Sequence, residues 1–265
     1  MNKSSVADDM GGAGDPPSTF GPTTKGSRLD HLRISAFITA LLATSIFLTI
    51  VVVNHSHQQA QTSNIRVSGI PSTVSTLLAN LMSLSPVPHR LAPDFLLTDQ
   101  FGGTVSLHSF RGRSVVLEFM DPHCVDICPL VSREFVNAYH DLGAASTHVA
   151  FLAVNVNQYF ASVANVAAYS NAHQLDSIPS WHFLTGTFVA LRAVWRNYGV
   201  AVEAPNPRAD IVHTSIIYFI DSNGHERYIA VPQADHSSKR TAFLPPESLV
   251  AWGRGIAKVV KSMSN

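Results

Sequence analysis

The stretch MDPHCVDICPLVSREF, residues 120–135, holds both cysteines of the chain, Cys124 and Cys128, separated by three residues and followed at once by a proline. Two thiols at that spacing can close on each other as a disulfide or close together on one soft metal ion. Pro129 lacks an N–H and is best tolerated in a first helical turn, so a helix is predicted to begin near Asp126 or Cys128, with Cys124 in the loop before it. In a regular helix, residues four apart hold their Cβ atoms about 5–6 Å apart. A disulfide needs roughly 3.5–4.5 Å, and the loop position of Cys124 removes that obstacle. The positive end of a helix also lowers the pKa of a thiol seated there. An inert disulfide pinning a loop is the bland alternative, but closing so short a loop gains little chain-entropy stabilisation. Thiolates with an imidazole select Cu(I) or zinc, and two sulfurs alone make an incomplete site. A third ligand is therefore sought elsewhere, and the chain has 13 histidines.

The elements around the thiols begin with a candidate anchor. Only 14% of residues are charged, against about 25% in ordinary soluble domains. The deficit traces to ISAFITALLATSIFLTIVVV, residues 34–53, which has no charge and is long enough to cross a bilayer once. A signal peptide would have a shorter apolar region and a small-x-small cleavage site, whereas Gln58 stands two residues before Ala60. An uncleaved transmembrane helix is the expectation. Lys25, Arg28 and Arg33 precede the run and the next basic residue is Arg66, so the N-terminus is expected in the cytoplasm and the remainder outside, at the cell membrane. Thiols there are oxidised or metal-bound unless a dedicated reductant reaches them. With 18 basic and 18 acidic residues there is no basic field for a phosphate backbone, which argues against a nucleic-acid partner.

Residues 1–33 read as a disordered cytoplasmic tail and residues 54–85 as an extracytoplasmic linker. That linker includes a short helix predicted in TVSTLLANLMSLS behind Ser72. From residue 86 to 265 one domain is expected. Within it DFLL, VSL, SVVLEFM, HVAFLAV, WHFL, TSIIYFID and HERYIAV read as strands. Helical patterns follow the cysteines and fill SVANVAAYSNAH, FVALRAVWRNYG and PESLVAWGRGIAKVV. Strands interleaved with helices, ending in a hairpin and a helix, predict an α/β fold with a mixed central sheet covered on both faces.

FMDPHCVDICPL, PSWHFLTG and VHTSIIYFIDSNGHERYI, in that order, resemble the Sco/SenC proteins, membrane-anchored thioredoxin-fold domains associated with copper delivery to cytochrome oxidase. The resemblance covers roughly residues 92–231 and is closest to variants in which Asp-Pro precedes the Cys-x-x-x-Cys-Pro motif. It implies a thioredoxin-like fold with copper held by Cys124, Cys128 and a distant histidine, His213. As partners it implies a copper-accepting respiratory oxidase subunit or a copper donor, and a thiol reductant. The chain departs from the family pattern at Val125, where many members have proline, and at Val212, where an Asp often precedes the histidine. It also has Asn155 and Asn157 in VNVNQYF, where carboxylates are common.

Other candidates carry less. His123 is an alternative ligand or a base beside Cys124, with a solvated loop histidine as the plainer reading. Asp126 reads as a helix cap, Asp121 with Pro122 as a turn, and His55 and His57 as polar linker residues. Trp181, Trp195 and Phe219 read as core. Two principal functions follow: a metallochaperone, which is no enzyme, or a thiol-disulfide oxidoreductase in which Cys124 attacks and Cys128 resolves. A thioredoxin-fold adaptor with an inert disulfide is the third.

Overall fold

The computed structural model describes residues 44–50, 68–236 and 242–264. The chain divides into two units, residues 1–59 and 60–265. Of the first, residues 44–50 are helical, and the rest of the expected transmembrane run lies outside the described residues, as do His55 and His57. Among the described residues no helix is long and apolar enough to cross a membrane.

The second unit is built on a six-stranded sheet. Its central strands are β4 (Ser114–Met120), β5 (Val149–Asn155) and β9 (Ile217–Ile220), flanked by β6 (Trp181–Leu184), β10 (His225–Ala230) and β1 (Ser85–Leu91). The order is β1-β10-β9-β4-β5-β6. β4, β5 and β6 run parallel, whereas β9 pairs antiparallel with β4, β10 with β9, and β1 with β10. A parallel β-α-β followed by an antiparallel hairpin and a last helix is the thioredoxin-like arrangement, here with one extra strand at each edge. β4 and β5 are buried along their whole length because both faces are covered, which is why they read as near-continuous apolar runs.

On one face lie α1 (Thr76–Leu81), α2 (Cys128–Leu142), α3 (Val163–Ala172) and α5 (Pro246–Met263), packed over Val116, Met120, Phe151, Phe183 and Phe219. On the other, α4 (Phe188–Asn197) and the hairpin of β2 (Leu96–Thr98) and β3 (Thr104–Ser106) cover Leu117, Phe119, Leu152 and Val154. Trp181, Trp195 and Phe219 are buried in these two cores, as expected. Helix starts follow capping chemistry: the hydroxyls of Ser162 and Thr187 accept the backbone N–H of Asn165 and Ala190. α4 is closed by Gly199, whose φ of 71° suits glycine.

Two details differ from the sequence reading. The helix expected behind Ser72 is capped by Ser75, whose hydroxyl accepts from Leu78 N–H. Residues 70–84, read as linker, supply Ile70, Val74, Leu78, Met82 and Leu84 to the core. The PVPH segment, residues 86–89, lies in β1 at the sheet edge. Pro86 and Pro88 are tolerated there because an edge strand needs only half its ladder.

Candidate metal centre

The site forms where β4 ends and α2 begins. Asp121, directly after β4, is buried, and its Oδ1 accepts the backbone N–H of His123 at 2.8 Å while its carbonyl accepts the N–H of Cys124 at 3.1 Å. This Asx-type turn reverses the chain and leaves Cys124 half-buried ahead of the helix, as the turn reading of Asp-Pro anticipated. Cys128 is the first residue of α2, Pro129 follows in its first turn, and the thiol of Cys128 is buried. The Sγ of Cys124 folds back over the helix start and accepts the N–H of Cys128 at 3.4 Å. Both cysteines are free thiols.

That packing splits the two thiols electrostatically. The hydrogen bond from the Cys128 thiol is the largest influence on Cys124; it outweighs burial and, with the N–H groups of Cys128 and Asp126, brings the Cys124 pKa down to about 7. The same hydrogen bond, then burial and the charge of Cys124, push the Cys128 thiol well up. One thiolate therefore forms first, on the half-buried sulfur of Cys124.

His213 ends β8 (Val212–His213), which pairs with β7 (Val202–Glu203) outside the main sheet. Its Nδ1 lies 3.1 Å from the Thr214 carbonyl, which fixes the proton there and leaves Nε2 with a free lone pair. Burial pushes its pKa down, against the opposing Thr214 hydrogen bond and Asp121, so the ring is neutral and ready to ligate. Cys124 and His213 line one open cleft of about 850 Å³, together with His123, Asp126, Arg208 and His236. One set of three donors among the described residues lies within 4.8 Å of one another, and it is not Cys124, Cys128 and His213. The two cysteines meet at the helix start, and His213 lines the same cleft as Cys124.

The other candidates fall as follows. His123 stacks on Phe160 with ring centroids 3.5 Å apart. Asp126 does not cap α2, whose N-cap is Ile127 without a side-chain bond. It faces His236 instead, at 3.3 Å. The Nδ2 of Asn157 donates to Asp121 Oδ1 at 2.9 Å, and Asn155 Oδ1 accepts the N–H of Asn157 at 2.7 Å. With a carboxylate already at Asp121, an amide at 157 gives an attractive pair where two acids would repel.

Sequence reasoning missed the buried groups under the cleft. Glu118 points from β4 into the core, where its Oε1 accepts from Ser215 at 3.0 Å and its Oε2 has no partner. Glu134 of α2 is buried as well. A lone acid inside the apolar run SVVLEFM was the available signal.

A family model described as SCO1/SenC matches residues 85–242, more than half of the chain. The chain belongs to the SCO1/SenC family. Consistent with that, it is 23% identical over 141 residues to the SCO1 protein homolog of Bacillus subtilis (strain 168), covering 52% of this chain and 72% of that relative. The SCO1/SenC fold is also found in solved structures similar to this one. The Bradyrhizobium japonicum ScoI structure with copper bound matches with a TM-score of 0.50 and 22% identity over 66% of this chain and 99% of that one. The SCO1/SenC family lipoprotein of Bacillus anthracis str. Ames matches at 0.51, with 20% identity over 66% and 97%.

Proposed function

We propose that this chain is a membrane-anchored copper-binding protein of the Sco type, which holds Cu(I) between Cys124, Cys128 and His213 and delivers it during assembly of a respiratory copper site such as that of cytochrome oxidase. The observation that carries the reading is the pair of sulfurs at the start of α2 with a neutral imidazole across the same cleft. Copper is cargo here. Two thiolates and one imidazole suit its soft, low-coordinate monovalent state. The copper-bound Bradyrhizobium japonicum ScoI supports the assignment by fold. Partners in this reading are a copper-accepting oxidase subunit or a copper donor, and a thiol reductant that keeps both cysteines reduced.

The reduced chain should hold one Cu(I) against a competing chelator. Cys124→Ser or Cys128→Ser should abolish tight binding, and His213→Ala should weaken retention while leaving the thiolates in place. Equal retention by wild type and His213→Ala removes the third ligand; no retention by either removes the copper reading.

A second reading is favoured by the split between the thiols. A Cys124 thiolate attacks a partner disulfide, expelling one partner thiolate, and the Cys128 thiolate then attacks the mixed disulfide. The partner leaves as a dithiol and the pair is left oxidised. Such exchange survives His213→Ala. The anchor at residues 34–53 belongs to the same proposal, with the N-terminus cytoplasmic; a cytoplasm-specific reporter fused after Asn265 should stay silent, and a strong signal reverses the topology.

A further inference from the structure

At the end of the sheet opposite the thiols, β9 turns into β10 through residues 221–224. Asp221 is buried at 5% exposure, and its Oδ1 accepts the N–H groups of Asn223 and His225 at 3.0 and 2.9 Å. Its Oδ2 is 3.2 Å from Nη1 of Arg227. β1 runs beside β10 with Leu91 opposite His225, and its register slips between Pro86 and Arg90. His89 sits in that irregular stretch and stacks on His225, ring centroids 4.1 Å apart and planes 17° from parallel. The Nδ1 of His225 is shut off from solvent with no hydrogen-bond partner, 3.7 Å from Asp221 Oδ1 and so beyond hydrogen-bond length.

We propose that His89, His225 and Asp221 form a second metal site, for a divalent imidazole-preferring cation of the Zn²⁺ or Cu²⁺ class. One ring nitrogen from each histidine and one carboxylate oxygen lie within 4.8 Å of one another. Tetrahedral bonds of about 2.0–2.1 Å need donors roughly 3.3–3.5 Å apart. Closing that gap takes rotation of the exposed His89 ring out of the stack, a side-chain movement on an edge strand. Two imidazoles and one carboxylate, with the fourth position open, are a set that late first-row divalent ions favour. The ion takes the carboxylate oxygen nearer His225 and leaves the other to Arg227. It supplies a partner to a buried nitrogen that otherwise has none. No sulfur takes part, so the site differs in ligand class and location from the thiol cleft.

The test uses the full chain in detergent with Cys124→Ser and Cys128→Ser, which leaves the thiol site out of the titration, and Zn²⁺ as the probe against a chromophoric chelator. One equivalent of Zn²⁺ should be retained. His89→Gln and His225→Gln should each weaken that equivalent tenfold or more, and His213→Ala should leave it unchanged. His89 is exposed, so His89→Gln preserves the fold and decides the matter even if His225→Gln does not fold. Failure to retain Zn²⁺, or retention equal to the parent in His89→Gln, overturns the proposal.

Discussion

The two cysteines differ in a way their spacing does not encode. Cys128 N–H and S–H both point at Cys124, so the half-buried sulfur is the anion and the buried one its donor. Alkylation of Cys124 should therefore rise through a midpoint near pH 7. In Cys128→Ala, where the thiol donor is gone, the midpoint should move up toward the ordinary value of about 8.5; an unchanged midpoint would leave the backbone alone responsible. The exchange of acids for amides is equally local. Asn157→Asp would set a second carboxylate against Asp121, where Asn157 now donates at 2.9 Å, and should cost about 1–3 kcal/mol in denaturant unfolding at neutral pH. The penalty should shrink as acid protonates the pair. Cys124, Cys128 and the Asp121 turn were legible because Pro129 and Asp-Pro have few conformations. The role of Asp126 was not: whether an acid caps a helix or reaches a distant histidine depends on where residues 231–236 return.

At the scale of elements, the strands and long helices were readable because burial on both faces or on one stripe imposes its own period. α1 was readable as a helix but not as core, since its apolar stripe matches a surface helix as well as one wedged under α5. The wedge depends on glycine. A Cβ at Gly253 would collide with Asn137 and crowd the Ala138 N–H of α2, and one at Gly255 would meet Met82 just after α1. Gly253→Ala should thus destabilise the domain by about 1–3 kcal/mol despite the better helix propensity of alanine. Urea unfolding checks the sign. Because α2 carries Cys128 at its first turn, the same variant should also alter the alkylation rate of Cys124, whereas an alanine on the exposed side of α5 should do neither.

For the whole molecule, the decisive quantity is the acid kept inside. Burial, against the bonds from Ser215 and from backbone N–H groups, holds Glu118 near a pKa of about 8. Burial and the charge of Glu118 do the same for Glu134, at about 8. In the unfolded chain both titrate near 4.3. Between these values the native state binds more protons, so stability is fully present below about pH 4 and falls as pH rises toward 8. The slope should reach at most about 1.4 kcal/mol per pH unit for each carboxyl. Urea midpoints should decline from pH 5 to pH 8, and Glu118→Gln should flatten roughly half of that decline; a profile that rises with pH contradicts buried neutral acids. The sheet edge holds a further consequence. An open edge strand presents unpaired N–H and C=O groups to which another copy can add a strand. In β1 the residues Pro86 and Pro88 withhold two N–H donors and the register slips beside them. An incoming strand therefore finds an interrupted ladder, and self-association along that edge is discouraged by the backbone itself.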